Sequence, residues 1–402
     1  MIEGFQNAGR IPELRRRVLF TLALLAVYRV GVAIPTPGID GQALAAFFEQ
    51  ARSTVFGMVN LLSGGAIERF SIFALGIMPY ISASIIMQLL TVVFPYLEKL
   101  SKEGELGRRK ITQYTRYGTI VLSLVQGTFI AMGLERIQAP GGGSVVFEPG
   151  WSFRAMTVIT LTSGTAFIMW LGEQITERGI GNGISLMIFA GIVSALPSAI
   201  ISTYQFFREG ELSLFLLLLI AAMMVVVISV IIFVERGQRR IPVQYAKRVV
   251  GRKMYGGQSS HLPLKINPTG VIPPIFASSI LIFPATIAQF IDHPYAASVA
   301  DWMSPGTYTH NVVYVALIIF FCYFYTAVTF NPQDVAENMK KYGGYVPGIR
   351  PGQRTAEYID RILTRITLGG ALYISAVCIL PTILIGQLNV PFYFGGTALL
   401  IV

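Results

Sequence analysis

The chain has 402 residues, of which 53% are apolar and only 13% charged, with a formal net charge of +10 and a mean hydropathy of +0.61. Soluble domains carry roughly 25% charged residues, so this composition excludes an ordinary soluble enzyme and marks an integral membrane protein. Its two cysteines, Cys322 and Cys378, lie inside apolar runs and read as packing residues, and the three histidines are scattered over loops, so neither a disulfide nor a metal site is expected.

At the N-terminus, IPELRRR places Pro12 and Glu13 as helix-start signals and reads as a short helix on the membrane surface. A spanning helix needs about 20 apolar residues to cross about 30 Å of hydrocarbon. Ten runs read as spans: 18–34, 71–93, 117–134, 154–171, 184–203, 213–234, 271–290, 311–330, 366–385 and 392–402. The first lacks a small-residue cleavage site and leads into nine more, so no signal peptide is expected. The last holds 11 residues when the chain stops at Val402, so it either continues further or does not cross.

Between the first two runs the pattern breaks. Val55, Phe56, Gly57, Met58, Val59, Asn60, Leu61, Leu62, Ser63, Gly64 and Gly65 make a run about half the spanning length, ended by the Ser-Gly-Gly stop and followed by Glu68 and Arg69. Backbone that stops at membrane depth is tolerated only inside protein or beside a water-filled cavity. The half-length helix therefore predicts a cavity or pore with that helix lying in it.

Charge sets the orientation. The N-terminal tail and the loops 94–116, 172–183, 235–270 and 331–365 hold 25 of the 31 Lys and Arg with 12 of the 21 acids, a balance of +13; the opposite side holds 6 and 9, a balance of −3. Cytoplasmic loops are the basic ones, which places the N-terminus in the cytosol. Ten spans divide at the polar connection 204–212 into halves 1–203 and 204–402, and five spans per half predicts opposite insertion, as in an inverted repeat. Loops 235–270 and 331–365 are both longer than simple connections. The first carries eight basic residues against Glu235, and its IPVQYAKRVV segment alternates as a strand or hairpin does. In the second, GGYVPGIRPGQRTAEYID reads as a rigid turn projecting Arg350.

The chemistry that is missing is also informative. None of the ten runs holds an Asp, Glu, Lys or His in its interior, and Arg29 lies where it can snorkel outward. A coupled carrier places ionisable residues at the midplane, so a carrier is disfavoured; a scaffold without a pore leaves the broken run 55–65 unexplained. No hydrolase, zinc-protease or P-loop motif occurs, and GIGNGIS at 179–185 reads as a tight turn between two spans rather than a nucleotide loop. The chain is expected not to be an enzyme, to need no cofactor, and to draw energy from a partner. Ile77/Ile81 and Ile184/Ile188 are i,i+4 pairs, and with Ile275 beside Pro273-Pro274 they could form a dewetting constriction or simply pack.

Longer motifs carry a resemblance. SGGAIERFSIFALGIMPYISASIIMQLLTVV, GEQITERGIGNGIS, VERGQRRIPVQYAKR, HLPLKIN, VIPPIFASSILIFPATIA, YVPGIRPGQRTAEYID and VPFYFGGTALLIV resemble, in order and over nearly the whole chain, the bacterial SecY family of protein-conducting channel subunits. The resemblance implies an all-α polytopic fold, ten transmembrane helices in two inverted five-helix halves around an hourglass pore. It implies that residues 55–65 are the plug, that Ile77, Ile81, Ile184, Ile188, Ile275 and Ile401 are the pore ring, and that Ser82, Gln88, Ser278, Ser279 and Phe283 lie on the lateral gate where a signal sequence intercalates. Arg252, Lys253 and Arg350 match loop tips that engage the SecA motor or the ribosome. SecE and SecG membrane subunits are the implied partners, with unfolded secretory and membrane proteins as the substrate and the lipid bilayer as the second exit. Family members finish the tenth span and add a basic cytosolic tail, which this sequence does not contain.

Overall fold

The computed structural model describes residues 11–50, 65–137, 144–208, 210, 213–245, 248–250, 253–255, 259–290, 302–303 and 307–388. Its elements are, in chain order, α1 (Pro12–Val32), α2 (Gly41–Gln50), α3 (Met78–Val93), α4 (Pro95–Lys102), α5 (Glu105–Leu134), α6 (Trp151–Arg178), α7 (Gly183–Arg208) and α8 (Leu214–Glu235), then β1 (Gln238–Tyr245), β2 (Arg248–Val250), β3 (Lys253–Tyr255) and β4 (Ser259–Lys265), then α9 (Ile272–Phe290), α10 (Tyr308–Thr329), α11 (Pro332–Lys341), β5 (Gly344–Tyr345) and α12 (Gln353–Leu388). Among the described residues α5, α6, α8, α10 and α12 are long and apolar enough to cross a membrane; α3 and α4, bent by 100° where they meet, make a sixth if taken as one span. The apolar window of α8 has no buried residue, as for a helix whose solvent is lipid. The expected plug residues Val55–Gly64, Arg252, Ile401 and the expected tenth span lie outside the described residues.

Contacts divide the chain into two compact units: Met1–Tyr204 with Ser278–Asn311 and Ile401–Val402, and Gln205–Ala277 with Val312–Leu400. In the first unit α5 and α6 are the tightest pair. Thr115, Thr119, Ser123, Gly127 and Ala131 repeat every fourth residue and are buried, opposite an α6 face that includes Thr157, Leu161, Gly164 and Ile168. Small side chains let two backbones approach where lipid supplies no hydrophobic drive between helices. The hydroxyls are satisfied within α5: Thr119 Oγ1 donates to the Thr115 carbonyl at 2.8 Å and Ser123 Oγ to that of Ile120 at 2.8 Å.

IPELRRR is not a separate surface helix, because α1 runs unbroken from Pro12, with Arg15 N–H already bonded to the Ile11 carbonyl at 3.1 Å. Pro12 needs no amide partner in the first turn, so the charged segment simply forms the start of α1 and runs on into its apolar part. Nor is 71–93 helical throughout. Residues 65–77 form turns that are buried or half-buried from Phe70 onward, with Gly76 at φ +55° and Pro79 in the first helical turn delaying the helix to Met78.

Much of this irregular backbone is paired, as burial demands. Thr36 N–H donates to the Phe70 carbonyl at 2.8 Å, Ile72 N–H to that of Ile34 at 3.0 Å, and Ser71 N–H to that of Ala66 at 2.8 Å. Phe70 sits at φ +40°, a conformation rare for an aromatic residue and held by this pairing. Phe73 stacks between Tyr28 of α1 and Phe167 of α6, both at 6.0 Å between ring centroids. A Cβ at Gly164 would collide with the Ile72 carbonyl, so α6 needs glycine where the turns cross it.

The GIGNGIS turn is as the sequence suggests. Gly181 takes φ +69°, Asn182 Oδ1 caps α7 by accepting from Ile184 N–H at 3.1 Å, and Ile180 N–H reaches Thr21 Oγ1 of α1 at 3.2 Å. At the other end of α6, Arg154 Nε donates to Glu135 Oε2 at 2.9 Å and Gly150 N–H to Oε1 at 2.9 Å. The Arg154 hydrogen bond holds the Glu135 carboxyl below the usual carboxylate range, against the desolvation that burial imposes.

In the second unit the two long basic loops are not separate loops. Antiparallel β1 and β4 pair from Gln238↔Lys265 to Gln244↔Ser259, and β5, from the other loop, pairs with the far edge of β1. Ile241, Val243, Leu264, Met339, Val346 and Ile359 form one buried core beneath them. Period-2 alternation in β1 supplies the inward Ile241 and Val243. The sequence reading of a strand or hairpin is correct, and the two loops close into a single small α/β body.

Candidate functional site

In the first unit the expected pore and gate residues sit on α3, α7 and the second part of α9. Ile77 is the last residue before α3 and is bonded to Ile81 by the first helical hydrogen bond, at 3.1 Å; both are buried, as is Ile188. Ile184 is half-buried and its Cγ1 lies against Gly172 of α6. Ile275 belongs to the second unit and is half-buried in the first turn of α9.

Among the gate candidates, Ser278 and Ser279 are buried, and Ser279 Oγ lies 3.7 Å from Met78 Sδ, a weak contact that joins α9 to the start of α3. Gln88 turns back along its own helix, donating from Nε2 to Ser84 Oγ at 3.3 Å; Ser82 is half-buried. Phe283 lies on α9 just before Pro284, and its side chain is outside the described residues.

Of the partner-binding candidates, Lys253 opens β3 opposite Val250. Arg350 is exposed on a turn whose geometry can be followed bond by bond. Gly348 and Gly352 take φ +81° and +105°. Ile349 N–H donates to the Val346 carbonyl at 3.1 Å, and Thr355 Oγ1 donates to the Arg350 carbonyl at 2.9 Å. Val346 is part of the buried core, so the turn is anchored rather than pendant. Arg350, Arg354, Glu357, Tyr358 and Arg361 line an open depression of about 490 Å³ beside it. Three guanidiniums against one carboxylate favour an acidic ligand group, and forked guanidiniums bind carboxylate or phosphate bidentately.

Two arrangements escape hydropathy. Arg116 Nε donates to Glu173 Oε1 at 2.7 Å, joining α5 to α6 where both helices continue past their apolar runs. Asn267, in the turn before α9, is bonded to Glu235 at 2.7 Å. An Asn-Pro-Thr-Gly sequence directly ahead of a helix is a signal that could have flagged that turn. No cluster of metal-ligating residues occurs among the described residues.

Among the described residues, five or six helices long and apolar enough to cross a membrane, together with one small basic α/β body, define a polytopic helical membrane protein. The sequence model of the SecY family matches residues 71–402. The chain is 55% identical over 403 residues to the protein translocase subunit SecY of Escherichia coli (strain K12), covering 99% of this chain and 90% of that protein. Its fold matches a structure of the SecY protein whose plug domain stabilizes the closed state of the translocation channel (TM-score 0.65, 18% identity, 98% of this chain and 92% of that one). It also matches Sec61 in the canine ribosome-channel complex from the endoplasmic reticulum (TM-score 0.62, 17% identity, 98% and 92%). The chain belongs to the SecY family.

Proposed function

We propose that this chain is the channel subunit through which unfolded secretory polypeptides cross the bacterial cytoplasmic membrane and from which membrane segments pass sideways into lipid. The match at 55% identity over 99% of the chain to a protein translocase subunit carries this reading. The non-helical turns ahead of α3, whose backbone pairs with residues 34 and 36, support it, because non-helical backbone at membrane depth belongs beside a cavity. In this reading Val55–Gly65 is the plug, the six isoleucines are the constriction, and α3 and α9 are walls of the lateral gate. The two halves 1–203 and 204–402 insert with opposite orientation. Work comes from a SecA-type motor or a translating ribosome at the Arg252, Lys253 and Arg350 surface, with SecE and SecG beside the channel; the chain itself performs no catalysis.

The test is reconstitution. Proteoliposomes holding the chain with the two small subunits should shelter a secretory precursor from added protease when motor ATPase and ATP are supplied. Sheltering no greater than in empty liposomes would overturn the reading. Orientation has its own test, since the basic side is assigned to the cytosol. Single cysteines placed at exposed Lys265 or Lys340 should resist an impermeant thiol reagent added outside intact cells, while one at exposed Tyr308 should react. The reverse pattern would invert the topology.

A further inference from the structure

Beneath the small basic body lies a polar cluster that the channel reading does not use. Asn267 and Thr269 are each 4% exposed. Asn267 Nδ2 donates to Glu235 Oε1 at 2.7 Å and to the Gly270 carbonyl at 3.2 Å. Its Oδ1 accepts from Thr269 Oγ1 at 3.0 Å and from Gly270 N–H at 3.0 Å. That acceptance from a backbone N–H fixes the amide orientation, and all four bonds the side chain can make are made. Thr269 Oγ1 also stands 3.9 Å from Cys322 Sγ of α10.

The cluster joins three elements. Glu235 ends α8, and after it Gly237 N–H bonds to the Val234 carbonyl at 2.9 Å, turning the chain into β1. Ile266 N–H returns to the Gly237 carbonyl at 3.1 Å, closing the β1–β4 hairpin at its root. A Cβ at Gly237 would strike the Ile266 side chain, and one at Gly370 of α12 would meet the Ile266 carbonyl, so both glycines allow the root to seat. From there Pro268, Pro273 and Pro274 lock φ along the few residues leading to Ile275 in the first turn of α9. A hairpin closed at its base, a fully bonded amide and a proline-stiffened connection leave little slack.

We propose that Asn267 and Glu235 are positioning residues that set the start of α9 and couple it to the β1–β4 hairpin, so that a partner acting on the hairpin shifts Ile275 and the gate helix. This rests on the reading of α9 as a gate wall. A side chain bonded on four sides has few alternative arrangements, which suits it to transmit a displacement rather than absorb it. A simple helix cap would stabilise the fold without affecting which substrates are admitted, and that difference is measurable.

The experiment compares export of a precursor with a defective signal sequence to export of the same precursor with an intact one, per channel, in proteoliposomes holding the chain, both small subunits and the motor. Asn267→Asp keeps the shape but turns an acceptor toward Glu235, replacing a charge-assisted bond by repulsion. The ratio should rise about tenfold, the value of one hydrogen bond to a charged group expressed as an equilibrium constant. Adding Glu235→Gln restores a donor opposite the new carboxylate, and the ratio should return to within about twofold of the unaltered chain. If Asn267→Asp fails to accumulate, Thr269→Val removes one donor from Asn267 Oδ1 at nearly constant volume and should give a smaller rise. An unchanged ratio in these variants at normal protein levels, or a double variant no closer to normal than the single, overturns the coupling. Failure of the unaltered chain to export either precursor overturns the channel reading and this inference with it.

Discussion

Arg350→Glu should abolish motor-driven translocation while the protein still inserts and assembles with the small membrane subunits proposed as its partners. The turn that carries Arg350 is fixed at both ends, by Val346 in the core of the basic body and by Thr355 Oγ1 on the Arg350 carbonyl. Little ordering entropy is therefore left to lose when a partner grips it. Its neighbours in the depression, Arg354 and Arg361, add positive potential, and Glu357 is the only acid lining it. Reversing one charge in a desolvated contact of this kind costs about 2–5 kcal/mol, roughly 30-fold or more in affinity. Arg350→Lys keeps the charge and loses the fork, so it should retain partial activity. Because Arg350 is exposed and its side chain forms no part of the buried core, protein levels should hold. Normal translocation by Arg350→Glu would remove the residue from the partner surface.

The legibility of this protein in its sequence follows from which forces leave a periodic trace. Lipid-facing stretches do: 213–234 is apolar all round because α8 has no buried window. The alternation of Ile241 and Val243 announced a strand because a half-buried strand must alternate. Hydropathy marks the membrane rather than the helix, which is why α5 begins at Glu105 and α12 at Gln353, well before their apolar runs. It also cannot distinguish buried turns from buried helix. Residues 71–77 are as apolar as the helix that follows, and only Gly76 and Pro79 betray the difference. The shared core of the two basic loops left no trace, since Val346 and Ile241 stand 105 positions apart in the numbering and neither run is long enough to signal a partner. The buried amide of Asn267 was likewise invisible, because a single polar residue in a turn looks solvated until its bonds are seen. Pore-ring and gate residues came from whole-chain resemblance; composition alone could not separate a constriction from packing.

That separation is what the double change Ile81→Asn with Ile188→Asn addresses. Both side chains are buried, 7% exposed each, one in the first turn of α3 and the other in the second turn of α7. An isoleucine constriction seals by dewetting: a narrow apolar waist does not hold a continuous water column, and water without a column carries no ions. It also offers a moving chain no hydrogen bond to stick to. Each buried isoleucine contributes about 1.5–3 kcal/mol by staying out of water. Two carboxamides supply donors and acceptors that stabilise the water column instead, so resting conductance in planar bilayers should rise by an order of magnitude or more, since about 1.4 kcal/mol is already tenfold. Ordinary packing predicts another result. Residues that merely fill a core lose stability when made polar, and the fault appears as reduced protein level with the conductance per channel unchanged. Ile184 provides an internal contrast, because its side chain lies against Gly172. Ile184→Asn should act more through packing of α7 on α6, with a larger loss of protein and a smaller leak than the double variant. Equal leak from the double variant and the unaltered chain, at equal protein levels, would place Ile81 and Ile188 in packing rather than in the seal.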